Sequence, residues 1–256
     1  MIIDTHAHLN MEDYDHDVEE VLGRALKKDV SHVIVIGMHG PSNQKAIELA
    51  DAHDMLYATV GIHPGYVDED HDVSRIIPLF KHPKVVAIGE CGLDFYWKDD
   101  NKELQKRVFQ QQIELAELYD LPLVIHTRSS FQEAYDMLLP YKGKVRGVFH
   151  CFSSDLNDAK KAIELGFMIG IDGPITYKNN ATLKEIVEAI DLSHLLVETD
   201  SPYLTPIPYR GKRNEPGNTR YVVEKIAEIK KMDVLEVERM TTDNAQRLFR
   251  LEGGLV

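Results

Sequence analysis

Eight short runs of apolar and β-branched residues recur along this chain, each separated from the next by a longer stretch with helical character. The runs are 2–6, 32–37, 56–62, 85–89, 122–126, 145–150, 167–171 and 195–199. Between them, 18–28, 43–52, 73–80, 102–119, 131–139, 156–165 and 183–190 read as helices, and 221–230, 234–240 and 244–251 follow the last run. A strand that is apolar along its whole length is buried on both faces, as in a parallel sheet covered by helices. Eight such units predict an α/β protein with a closed (β/α)8 barrel of TIM type. An open doubly wound sheet would carry a glycine-rich phosphate loop after its first strand. That position holds His6-Ala7-His8-Leu9-Asn10, with no glycine. No internal repeat, low-complexity tract or linker interrupts the 256 residues, so 1–256 is expected to be one domain with extra C-terminal helices.

The residues that end these runs are chemically selective. The first run ends in His6-Ala7-His8 and the third in Gly61-Ile62-His63-Pro64. The fourth ends in Gly89-Glu90-Cys91-Gly92-Leu93-Asp94 and the fifth in Ile125-His126-Thr127-Arg128. The sixth ends in Phe149-His150-Cys151-Phe152 and the eighth in Glu198-Thr199-Asp200-Ser201-Pro202. In a barrel the carboxyl ends of all strands meet at one face, where barrel active sites lie. Imidazoles and carboxylates together suit borderline to hard divalent cations, with no need for thiolate. His6, His8, Glu90, His126, His150 and Asp200 are too many ligands for one tetrahedral zinc. They suit two cations about 3.5–4 Å apart that share a bridging carboxylate. Glu90 can bridge, because each carboxylate oxygen can hold one ion. Residues i and i+2 of a strand share a face. Asp4 is therefore expected beside His6 and His8, and Glu198 beside Asp200, as partners that orient ligands. The same alternation turns Cys91 and Cys151 away from the cations, as buried free thiols.

Composition narrows the setting. With 29 basic and 42 acidic residues the net charge is −13, which argues against nonspecific coating of nucleic acid. Two cysteines outside any CxxC pair do not make a disulfide scaffold. Neither a leader-like amino terminus nor an apolar window long enough to span a bilayer is visible, so a cytoplasmic protein without membrane contact is expected.

Taken together and in this order, these strand-end motifs resemble the TatD family of metal-dependent deoxyribonucleases, among the amidohydrolase-like barrels. The resemblance spans essentially the whole chain, and the Gly89–Asp94 and Glu198–Leu204 motifs make it specific. It implies that His6, His8, Glu90 and Asp200 hold one cation, and Glu90, His126 and His150 the other. It implies DNA as substrate, degraded from the 3′ end of single strands, with Mg²⁺ as the supporting cation and Mn²⁺ or Zn²⁺ as alternatives. Relatives with a carboxylated lysine as bridge would need lysine where this chain has Glu90.

Roles for individual residues follow. Asp200 is the expected general base or water-orienting group, with Glu90 beside it in the catalytic machinery. His63 and Arg128 are expected to contact phosphate. Tyr96 and Tyr203 are candidates to stack on a terminal base, while Phe95 and Trp97 are expected to seal the barrel rim. Arg210, Lys212, Arg213 and Arg220 form a basic loop after the eighth strand. They are expected on the active face, with Arg213 gripping the DNA backbone. No obligate protein partner is inferred. Two other readings stay open: the same barrel hydrolysing an ester or amide such as aminoacyl-tRNA, and a metal-containing binding protein without turnover.

Overall fold

The computed structural model describes residues 1–251. Its eight strands are β1 (Ile2–Ala7), β2 (Val30–Ile36), β3 (Leu56–Val60), β4 (Val85–Asp94), β5 (Leu123–Arg128), β6 (Gly147–Phe149), β7 (Phe167–Ile171) and β8 (Leu195–Val197). Each pairs in parallel with the next in sequence order. The edges of β1 and β8 meet through a parallel bridge between Ala7 and Ser201. The Asp200 N–H donates to the His6 carbonyl at 2.9 Å and the His8 N–H to the Ser201 carbonyl at 2.8 Å. This closes the expected barrel.

Eight α-helices accompany the strands: α1 (Val18–Leu26), α2 (Gly40–Ala52), α3 (Lys102–Tyr119), α4 (Phe131–Leu138), α5 (Leu156–Glu164), α6 (Ala181–Ala189), α7 (Thr219–Lys230) and α8 (Val234–Phe249). Two helical expectations are corrected. Stretch 73–80 forms two short 3-10 turns, Val73–Arg75 and Ile77–Lys81, in place of an α-helix. The Asp72 side chain caps the first turn, and Pro78 removes a backbone donor from the second. The expected pair 234–240 and 244–251 is one helix, because the polar run between them is hydrogen-bonded. Thr241 Oγ1 donates to the Val237 carbonyl at 2.9 Å, and Asn244 Nδ2 donates to the carbonyls of Leu192 and Leu195.

The core divides at the barrel wall. Ile3, Ile34, Val86, Val124, Val148, Met168 and Leu196 form a buried cluster with Ala245, Leu248 and Phe249 of α8. Helix α8 therefore corks the barrel end opposite the histidines. Phe249 is 2% exposed, so Phe249→Ala is expected to cost about 3–5 kcal/mol. A denaturant melt checks this; a loss below about 1 kcal/mol would show that the cork is dispensable.

Two irregularities in the ladder fall beside the histidine face. Between Asp4 and Ala7, β1 carries one residue more than β2, and between Ile88 and Cys91, β4 carries one more than β5. Bulges of this kind re-aim side chains next to active sites. Here they contain His6 and Glu90. A Cβ on Gly89 would lie 2.7 Å from Cβ of Val124, so only glycine fits where β4 bends.

Candidate metal centre

The site gathers where the sequence places it, with Glu90 in the middle. Glu90 is buried, and its two oxygens face different imidazoles. Oε2 lies 3.5 Å from Nε2 of His6 and 3.8 Å from Nε2 of His8. Oε1 lies 2.8 Å from Nε2 of His150, 3.2 Å from Nδ1 of His126 and 3.5 Å from Nε2 of His63. On the Oε2 side, Asp200 Oδ1 approaches Nε2 of His8 at 3.2 Å and of His6 at 3.5 Å. The rings of His6 and His150 stack at 3.9 Å across the two sides. Three overlapping groups are compact enough to hold a cation: His6–Glu90–His150, His6–His8–Asp200 and His63–Glu90–His126. Nε2 of His6 and His8 are 3.3 Å apart, flanked by two carboxylates. A nitrogen–carboxylate set of this kind fits a borderline or hard divalent ion.

His6 lies in the bulge of β1, and His8 lies past the strand end, so simple alternation does not place the pair. The bulge and the Ser201 bridge do. Asp200 has φ 53°, a left-handed turn that aspartate tolerates, and it swings its carboxylate back over the barrel mouth.

The electrostatics follow from this crowding. Burial pushes the Glu90 carboxyl up, but His150, His63 and His126 outweigh it and hold it well below the ordinary range. Burial likewise opposes ionisation of Asp200, yet His8, His6 and His150 bring its pKa down. His63 is pushed down to about 3 by burial, against the pull of Glu90. Its Nδ1 accepts a hydrogen bond from the Gly65 N–H at 3.0 Å. The neutral ring therefore carries its proton on Nε2, facing Glu90.

The supporting carboxylates differ from the sequence expectation. Asp4 touches no imidazole. It accepts from Thr199 Oγ1 at 2.6 Å and Thr199 N–H at 3.0 Å, pinning the segment that carries Asp200. Glu198 turns from Asp200 towards β6, accepting the Cys151 N–H at 2.5 Å and lying 3.7 Å from Nδ1 of His150. Gly170 makes room for it, since a Cβ there would sit 2.6 Å from its Oε2.

Asp94, given no role from sequence, lies 3.1 Å from Nε2 of His126. Strand parity from Glu90 would have found it, because β4 continues to Asp94. A carboxylate behind a ligating histidine fixes its ring and raises its basicity. Asp94→Asn keeps the Oδ1 acceptor for the N–H groups of Tyr96 and Trp97 and removes the charge. Metal affinity is then expected to fall roughly 10–100-fold, read by competitive chelator titration. An unchanged affinity would remove Asp94 from the site. Asp172, at the end of β7, was also missed; it is buried, and its Oδ2 has no hydrogen-bond partner among the described residues. Cys91 is buried and Cys151 partly exposed; both are free thiols outside the cation groups.

Around the mouth the predicted substrate contacts separate. The Arg128 guanidinium lies over Tyr96 at 4.4 Å and Trp97 at 5.3 Å, with no carboxylate partner among the described residues. Trp97 is 70% exposed, so it does not seal the rim; Phe95 does pack against the core. Tyr203 is exposed, with its ring 6.5 Å from that of His8. The basic loop is not one patch. Arg220 reaches Asp29 at 2.7 Å and pairs with Glu238, at the opposite end of the barrel beside the amino terminus. Arg213 is clamped by Asp17 at 2.6 Å, a partner far away in sequence. Arg210 lies over Tyr177 at 4.3 Å.

A parallel eight-stranded barrel with imidazoles and carboxylates converging at its carboxyl end defines a metal-dependent barrel hydrolase. Comparison with known proteins carries this further. The profile of the TatD related DNase family matches residues 3–250. The uncharacterized metal-dependent hydrolase YabD of Bacillus subtilis is 43% identical, over 98% of this chain and 100% of its own length. The uncharacterized metal-dependent hydrolase YcfH of Escherichia coli is 35% identical, over 98% of this chain and 96% of that protein. The crystal structure of YJJV, a TatD homolog from Escherichia coli, superposes with a TM-score of 0.93 at 30% identity, covering 98% of each chain. The chain belongs to the TatD-related DNase family of metal-dependent hydrolases, and it acts on ester bonds with divalent metal. Among the described residues, no helix is long and apolar enough to cross a membrane.

Proposed function

We propose that this hydrolase cleaves phosphodiester bonds of DNA, removing nucleotides from the 3′ end of single strands with two divalent cations, Mg²⁺ foremost. The observation that carries the reading is the division of Glu90 between two ligand groups, Oε2 towards His6 and His8, Oε1 towards His126 and His150. One group is completed by Asp200. Bound there, divalent cations lower the pKa of a coordinated water towards neutrality and offset phosphate charge.

The chain supplies the rest. Asp200, ionised and at the mouth, orients the attacking water and accepts its proton. His63, next to Glu90 at the mouth, is the imidazole assigned to contact a non-bridging phosphate oxygen. Arg128, unpaired with carboxylate, grips a second phosphate oxygen. Tyr203 offers its exposed ring to the terminal base.

The test uses metal-depleted protein, restored with Mg²⁺, Mn²⁺ or Zn²⁺, on 5′-end-labelled single-stranded DNA. A metal-dependent ladder shortening from the 3′ end is expected. Cleavage of an aminoacyl ester with none of DNA would replace the reading, and no turnover on either substrate would overturn it.

A further inference from the structure

One cavity lies away from the metal centre. A groove of about 510 Å³ runs along the outer flank of the barrel, between α1 and the segment joining β8 to α7. Five cations line it, Arg24, Lys27, Lys28, Lys212 and Arg213, against one carboxylate, Glu215. In a chain of net charge −13 this concentration runs against the overall field. The two arginines are consumed internally, Arg24 by Glu215 at 2.8 Å and Arg213 by Asp17 at 2.6 Å. The three lysines have no carboxylate partner among the described residues. Lys28 is tethered to the side-chain oxygen of Asn218 at 3.0 Å. Its ammonium lies 5.3 Å from the ring centre of Tyr209, and that of Lys212 lies 5.7 Å from the same ring. Two like charges are thus gathered around one half-exposed aromatic face, with Lys27 beside them.

The groove also has an address. Its upper wall is the segment that leaves the metal centre at Asp200, passes Tyr203 beside His8 and reaches Lys212 and Arg213. A chain of phosphates with one end at the metal centre would cross the rim there. Ammonium groups without internal counter-charge, next to a tyrosine ring, match the sugar-phosphate backbone and bases of a single strand. We infer that this flank groove is a second binding site for single-stranded nucleic acid, holding the part of the strand away from the cleaved end. The inference rests on the phosphodiester reading of the metal centre, because that reading supplies the strand.

The site makes affinity depend on strand length. In chelator, where nothing is cut, fluorescence anisotropy compares a short (about four-nucleotide) and a long (about sixteen-nucleotide) oligothymidylate. The unaltered chain is expected to bind the long strand at least roughly tenfold more tightly. Lys27 and Lys212 are exposed, so the double variant Lys27→Ala with Lys212→Ala keeps the fold, checked by circular dichroism. It is expected to lose most of that preference, and the slope of log affinity against log salt for the long strand should become shallower by about 1.4. An unchanged length preference and salt slope would overturn the groove. So would displacement of the long strand by polyglutamate at equal charge concentration, which would assign the cations to an acidic protein partner. Length-dependent binding without any DNA cleavage in the presence of metal would leave the groove standing and remove the nuclease reading alone.

Discussion

Glu90→Gln is expected to lower activity on single-stranded DNA by more than about 100-fold and to release at least one of the two proposed cations. Residues that merely support a ligand cost about 10–100-fold when removed, so a carboxylate serving both ligand groups should cost more. Glutamine keeps the size and one acceptor oxygen. It removes the negative charge that five surrounding imidazoles share, from His150 at 2.8 Å to His8 at 3.8 Å. The amide must also aim an N–H₂ at one group or the other, so one set of imidazole nitrogens loses its oxygen partner. Elemental analysis of the dialysed variant, paired with the end-labelled assay, reads both quantities. Two ions per chain with activity within tenfold of the unaltered protein would end the bridging assignment.

Asp200→Asn separates ligation from proton transfer. Asparagine offers a carbonyl oxygen where Oδ1 now faces His8 and His6, but it cannot accept a proton from water. If Asp200 is the base, kcat should fall by about 10²–10⁴ while the amount of bound metal stays unchanged. His8, His6 and His150 overcome burial to keep the Asp200 carboxyl below its ordinary range, so it is ionised at neutral pH. A kcat within tenfold of the unaltered protein would move the proton to another acceptor. A loss of activity fully restored by excess metal would reduce Asp200 to a ligand.

The fold was legible because each buried strand is apolar nearly throughout, and the same apolar runs mark where the polar strand ends begin. His6, His8, Glu90, His126, His150 and Asp200 come together in the structure for that reason. What the sequence hid was set by distant contacts. The polar run 241–243 reads as a break, yet Thr241 bonds back to the Val237 carbonyl, Asn244 just beyond spends its amide on the carbonyls of Leu192 and Leu195, and the helix continues. Arg213 reads as a free cation until Asp17 is seen against it. Asp94 escaped because β4 runs on past Gly89 to reach it. Alternation also misplaced the partners of Asp4, which meets Thr199, and of Glu198, which lies beside His150 in place of Asp200, since one extra residue in β1 and a strand β8 that stops at Val197 break the period on which it depends.

The closure of the barrel makes the site depend on segments far apart in the sequence. β1 precedes the other strands in the chain, but its second neighbour, β8, and the cork that fills the barrel beneath it follow the other seven. The first residue is itself held by that cork, with the Met1 carbonyl accepting from Thr242 and its amino group meeting Glu238. His63, Glu90 and His126 all come from the first half of the sequence, whereas His6 and His8 form their group with Asp200 of the second half. The candidate metal centre is therefore unfinished until strands from both halves of the sequence have paired, so its assembly reports closure of the whole barrel.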